Sequence, residues 1–291
     1  MRNSKDSRIY IAGHKGMVGS ACWRILKSKG YTRLIGKSSF ELDLRDKNEV
    51  NKFISEEKPT VIINAAAKVG GILANNNFPF EFLLENMQIQ NNLIECAYKN
   101  GIEKFVFLGS TCIYPKFANQ PILEESLLTS SLEETNQWYA IAKISGVKLI
   151  EALNIQYNKK YISLMPTNLY GPNDNYSLNN SHVIPGMIMK FHEAKINNSK
   201  NVKLWGTGSP LREFLYVDDL ANAIVHVLEN DLNESLINVG SGIEISIKEL
   251  AELIKKTTSF QGSIIWDDTK PDGTPRKLSD SSKLRKHGWT H

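Results

Sequence analysis

Gly13-His14-Lys15-Gly16-Met17-Val18-Gly19 stands between an apolar run at 8–12 and a segment whose apolar residues recur with helical period. A chain that passes from strand to helix in so few residues must turn tightly, and glycine makes such turns without steric cost. A helix that opens at the turn offers free N–H groups and partial positive charge, and missing Cβ atoms let the backbone approach a pyrophosphate. The G-x-x-G-x-x-G spacing differs from the commoner G-x-G-x-x-G, so the surroundings carry the reading. Further apolar runs at 34–36, 61–64, 104–108 and 161–165 are each followed by a segment of helical period. Five strand–helix repeats predict parallel strands joined by crossover helices, an α/β fold built on a Rossmann-type doubly wound sheet. Gly13, Lys15, Gly16, Met17, Val18 and Gly19 are the residues expected to hold a dinucleotide.

After Pro166 the rhythm changes. Residues 171–182 are rich in Gly, Pro, Asn and Ser and read as a long loop, and long loops in compact domains are usually functional. A helix is expected at 184–196, a strand at 212–217, and a helix opening at Asp218-Asp219, whose carboxylates suit a helix N-terminus. A further helix at 246–257, a strand at 263–266 and the PDGTPRK loop at 271–277 complete a smaller C-terminal lobe. The expected division is a cofactor domain of 1–170 with 212–240, and a substrate-binding lobe of 171–211 with 241–291.

Composition narrows the function. The chain has 291 residues, 41% hydrophobic and 23% charged, which fits a globular protein and excludes disordered and disulfide-scaffold classes. A net charge of +4, evenly spread, gives no nucleic-acid footprint. Cys22, Cys96 and Cys112 fit neither a disulfide framework nor a metal-ligand pattern, so no metal is expected and a reducing, cytoplasmic setting is. The polar N-terminus lacks a secretory apolar segment, and the longest apolar run, at 61–69, is too short to span a membrane.

The second strand ends Ile35-Gly36-Lys37-Ser38-Ser39, with no acid to hold a ribose 2′-hydroxyl. Lys37 and Lys15 instead favour the 2′-phosphate of NADP, while Asp43, farther on, keeps NAD open. Tyr139 and Lys143 stand one helical turn apart, so an ammonium is within reach of a phenol and is expected to lower its pKa. Ser110, at the end of the fourth strand, lies where ligands bind in open α/β sheets and is suited to hold a carbonyl oxygen. Together these side chains read as a site for hydride transfer to a ketone.

The glycine turn, Ser110, Tyr139 and Lys143 resemble the extended short-chain dehydrogenase/reductase family. AGHKGMVGSA at 12–21, NAAAKVGGI at 64–72, LGSTCIYP at 108–115, MPTNLYGP at 165–172, NSHVIP at 180–185, REFLYVDDL at 212–220 and KPDGTPRKL at 270–278 are similar to its GDP-L-fucose synthase branch. The resemblance implies NADPH-dependent reduction of the C4 ketone of a GDP-4-keto-6-deoxy-hexose with 3,5-epimerisation. It further implies that Cys112 and His182 exchange protons at C3 and C5, with Lys143 and His182 also touching the cofactor. Asn168, Val183, Lys190, Trp205, Arg212, Arg276 and Lys277 would bind the GDP-sugar, and a homodimer would form through the helices at 83–98 and after Tyr139. The alternative is a C4-reductase without epimerisation acting on a related GDP-4-keto sugar such as a 6-deoxy-heptose. Cys112 stands where 4,6-dehydratases of the family carry an acid, which argues against that reaction. The family continues past Gly288-Trp289 into a terminal helix, whereas this sequence stops at His291.

Overall fold

The computed structural model describes residues 4–177, 181–270 and 272–291. From the N-terminus its elements are β1 (Ile9–Ala12), α1 (Met17–Ser28), β2 (Leu34–Ile35), α2 (Lys47–Glu57), β3 (Val61–Asn64), α3 (Ile72–Asn77), α4 (Pro79–Lys99) and β4 (Lys104–Leu108). Next come α5 (Gln137–Tyr157), β5 (Ile162–Pro166), β6 (Asn168–Tyr170), α6 (Val183–Ile196), β7 (Asn201–Trp205), β8 (Leu211–Tyr216) and α7 (Val217–Glu229). The chain closes with β9 (Leu236–Val239), β10 (Glu244–Ser246), α8 (Ile247–Thr258), β11 (Ser263–Asp267), β12 (Arg276–Lys277) and α9 (Ser282–Lys286).

Strands covered on both faces need apolar residues at every position, and β1, β3 and β5 are buried throughout. Successive side chains serve opposite faces. Ile9 and Ile11 of β1 join a core with α1 and α7, while Tyr10 and Ala12 join a second core with α2, α4 and α5. The result is a six-stranded parallel sheet in the order β2-β1-β3-β4-β5-β9. Its order reverses direction between β1 and β3, and the crevice for a ligand lies beyond the carboxyl ends of those strands. Local chemistry fixes the helix ends: Asp46 accepts from the N–H groups of Asn48 and Glu49 at the start of α2, and Ser246 with Glu249 forms a reciprocal cap on α8.

A separate core joins Met187, Phe191 and Ala194 of α6, Leu250, Ala251 and Ile254 of α8, and Val202 and Leu204 of β7. Here β7 pairs in parallel with β11. A second sheet is organised by β8, which pairs antiparallel with β10 on one side and in parallel with β12 on the other through its first half, while its second half pairs in parallel with β6. The strand expected at 34–36 ends at Ile35; Gly36, just beyond it, lies against the His14 ring, where a side chain would collide. Among the described residues, no helix is long and apolar enough to cross a membrane.

Candidate active site

The glycine turn closes on the switch point of the sheet. Gly13 has φ +77, and a Cβ there would press on Ala65 and Ala66, just past β3, at 2.9 Å. A Cβ on Gly19 would run into the Gly13 carbonyl, so only glycine lets α1 sit this close to the turn. Gly16 donates its N–H to Gly13 O at 2.9 Å and caps α1 without a side-chain acceptor, and the first helical turn carries no acid. Its N–H groups are thus left for an anion, and the cradle fits a dinucleotide diphosphate. The side chains of Met17 and Val18 pack against the core, so these two residues offer backbone alone.

Lys15 is exposed and Lys37 half-buried, both beside the loop after β2. Within that loop Glu41 accepts from Ser38 N at 2.8 Å and Ser38 Oγ at 2.6 Å. These bonds, and then the charges of Lys37 and Lys15, hold its carboxyl below the usual range. Asp43, the acid that kept NAD open, is engaged by Arg45 at 2.8–3.2 Å.

At the end of β4, Ser110 Oγ accepts from Cys112 N at 3.2 Å, which leaves its own O–H to donate elsewhere. Lys143 is 3% exposed; its Nζ donates to Leu108 O at 2.9 Å and lies 5.7 Å from the centre of the Tyr139 ring. Burial pushes the Lys143 ammonium down to about 7. Tyr139 is pushed up from its ordinary value by burial and then by the negative charge of Cys112. The expected lowering of the phenol is therefore not found: its pKa is raised. The physical reason is desolvation of the phenol, while the Lys143 ammonium is directed to the Leu108 carbonyl.

Cys112 is the meeting point of distant segments. Asn136 Nδ2 donates to its Sγ at 3.3 Å, and Lys277 Nζ does so at 3.6 Å. Asn136 was not singled out in the sequence, although an asparagine one turn before Tyr139 was a readable signal. It stands at the N-cap of α5, yet its side chain leaves the helix uncapped and turns to the sulfur. Arg212 is buried enough to lower its pKa, with Asp272, Cys112 and Glu133 opposing that shift. Glu133 itself is tied to Lys116 at 3.0 Å.

His182 is the exposed N-cap of α6, and its side chain does not cap the helix. Its charge acts on Asp174, a carboxyl raised chiefly by burial. Val183 packs against the core of α6 and α8. Lys190 and Lys270 place their ammonium groups 5.9 and 5.8 Å from the ring of Trp205, which is half exposed. Arg276 is held by Glu244 at 2.8 and 3.1 Å, and Asn168 donates to Glu213 O at 2.8 Å, so both have local partners. Residues 178–180 of the 171–182 loop and NSHVIP motif, and residue 271 of the PDGTPRK loop, lie outside the described residues.

Residues 9–240 match the NAD dependent epimerase/dehydratase family. GDP-L-fucose synthase 1 of Arabidopsis thaliana is 57% identical over 99% of this chain and 89% of its own length. GDP-L-fucose synthase of Escherichia coli is 49% identical over 98% of this chain and 91% of its own. Among solved structures, a GDP-mannoheptose C4 reductase from Campylobacter jejuni with NADP bound superposes with a TM-score of 0.91 at 37% identity, covering 99% of this chain and 94% of that one.

Proposed function

This chain belongs to the NAD dependent epimerase/dehydratase family, and from that premise we propose that it uses NADPH to reduce the C4 ketone of a GDP-4-keto-6-deoxy-hexose after inverting C3 and C5. It is an NADP-dependent oxidoreductase of the GDP-L-fucose synthase type. The observation that carries the reading is a thiol, Cys112, electrostatically coupled to Tyr139 and two residues beyond Ser110. A carbon-acid base thus stands beside the ketone-reducing groups.

A C4 ketone acidifies the protons on C3 and C5. Cys112, as thiolate, takes such a proton; the C–H pair moves into an enolate, and an S–H bond forms. His182, as imidazolium, returns a proton to the opposite face, so that the centre inverts. When bound, NADPH supplies hydride to C4. Ser110 O–H holds the ketone oxygen, and Tyr139 passes it a proton as it becomes the alcohol. Lys143, with its ammonium near 7, is poised to return a proton to the phenolate. For the cofactor, Gly13, Gly16 and Gly19 form the cradle, with Lys15 and Lys37 for the 2′-phosphate. Lys190, Trp205 and Arg212 offer a cationic, partly aromatic surface for the nucleotide diphosphate.

The division into 1–170 with 212–240 and 171–211 with 241–291 fits a cofactor part and a lobe that holds the sugar nucleotide. The hexose is favoured over the heptose because the relatives at 49–57% identity are fucose synthases, whereas the heptose reductase is at 37%. Three free cysteines suit a reducing cytoplasm. A homodimer through α4 and α5 is supported by the apolar side chains those helices expose.

The test is the NMR spectrum of product formed in heavy water from NADPH and GDP-4-keto-6-deoxy-mannose. Solvent deuterium at C3 and C5 with inverted configuration is expected. A C4-reduced sugar with neither carbon labelled would leave a simple reductase.

A further inference from the structure

We propose that Lys277 serves Cys112 as a positioning residue: its ammonium is the counter-ion that keeps the sulfur a thiolate, instead of a ligand for the nucleotide diphosphate. What the sulfur does rests on the epimerase reading above; the pairing itself does not. Lys277 follows Arg276 on β12, and neighbouring strand residues face opposite ways. Arg276 therefore goes to Glu244, while Lys277 reaches Cys112 Sγ at 3.6 Å, across 165 residues of sequence. The parallel register sets Lys277 beside Arg212 of β8, and Arg212 also feels the charge of Cys112. The ammonium of Lys277 is thus in contact with the sulfur, while Arg212 on the adjacent strand acts on it electrostatically.

The other groups near the sulfur strengthen the assignment. Asn136, at the start of α5, donates to Sγ at 3.3 Å, and its Oδ1 is buried without a partner among the described residues. Tyr139 of α5, its phenol pushed up first by burial, is also raised by the charge of Cys112. The nearby carboxylates are already engaged: Glu133 by Lys116 at 3.0 Å, and Asp272 by Thr207 N at 2.7 Å and Thr207 Oγ1 at 2.8 Å. Among the described residues Lys277 has no carboxylate partner, so the Cys112 sulfur is the group its ammonium meets. A cation in contact is what makes a cysteine reactive near neutral pH.

The pairing is tested by alkylating the NADPH-bound protein with iodoacetamide across pH 5–10 and following Cys112 by mass spectrometry. Cys22 and Cys96 are buried, and their silence certifies that a variant is folded. In Lys277→Met the pH midpoint of Cys112 alkylation should rise by about one unit, a rate near neutral pH lower by about tenfold. Lys277→Arg should restore most of it. Deuterium entry at C3 and C5 should fall in Lys277→Met by a similar factor, with KM for the sugar nucleotide within about twofold of the parent. An unmoved alkylation profile with a KM raised tenfold or more would make Lys277 a diphosphate ligand and overturn the proposal. A shifted profile in a protein whose parent incorporates no deuterium would uphold the pairing and sink the epimerase reading instead.

Discussion

Lys143 shows how a single residue can work against the fold that holds it. Its ammonium is buried beside the Phe107 and Tyr139 rings with one hydrogen bond, to the Leu108 carbonyl, and burial brings it down to about 7. In the unfolded chain the same group titrates near an ordinary lysine value of about 10.4. The unfolded state therefore binds more protons between those values, and stability rises with pH across that window. Below about 7 the cost of burying the charge is fully present; it fades as the folded-state group loses its proton. We expect Lys143→Met to be more stable than the parent at pH 6 by about 1–4 kcal/mol, the gain seen where buried charges yield to apolar side chains. The advantage should shrink as pH rises from 7 towards 10, while reductase activity is lost at every pH. Urea unfolding across this range reads the outcome, and a pH-independent difference would mean that the ammonium is compensated in the fold.

At the level of elements, legibility followed burial. β1, β3, β4 and β5 were readable because both their faces are covered, leaving predominantly apolar runs between polar segments. β6, β10 and β12 are two or three residues long, too short for any periodicity, and exist because β8 offers them a partner. For the same reason Ser110, Tyr139 and Lys143 could be read from local spacing, whereas the contact of Lys277 with Cys112 could not: it is made by β12 docking on β8. The turn before α1 was legible in its residue types, and the structure separates the glycines by task. An added Cβ at Gly19 meets the Gly13 carbonyl, which is backbone and cannot swing aside; at Gly16 its nearest neighbour is at 3.4 Å. Gly19→Ala should thus push α1 off the turn and cost about 1–3 kcal/mol, the usual range for overpacking. Its affinity for NADPH should fall by about tenfold, equivalent to about 1.4 kcal/mol of binding free energy, because the displaced helix no longer holds its N–H groups against the turn. Gly16→Ala should weaken binding far less. Fluorescence titration with NADPH distinguishes the two, and equal losses would show that the helix N-terminus, rather than its closeness to the turn, is what the cofactor needs.

Across the whole molecule, α5 joins two surfaces. Tyr139 and Lys143 lie on the side that faces the sheet, and Lys143 is bonded to the end of β4. Trp138, Ile141 and Leu149 lie on the outside at helical spacing, each more than a third exposed. α4 packs along α5, tied to it by Gln90 donating to Ala142 O and Ser145 Oγ, and adds exposed Phe80 and Leu84. Exposed apolar residues on two long packed helices are the chemistry of an interaction surface, and a second copy of the same pair would meet it with matching chemistry. Dimerisation would then press on the outer side of the helix whose inner side carries the phenol and the ammonium. The double variant Ile141→Glu with Leu149→Glu sets a carboxylate on each of two positions eight residues apart, both of which the partner would have to desolvate. We expect a dimer for the parent chain at micromolar concentration and a monomer for the variant by sedimentation, with the variant retaining NADPH affinity within about threefold because the glycine turn lies elsewhere. A parent chain that sediments as a monomer under the same conditions would show that these helices stay open to solvent.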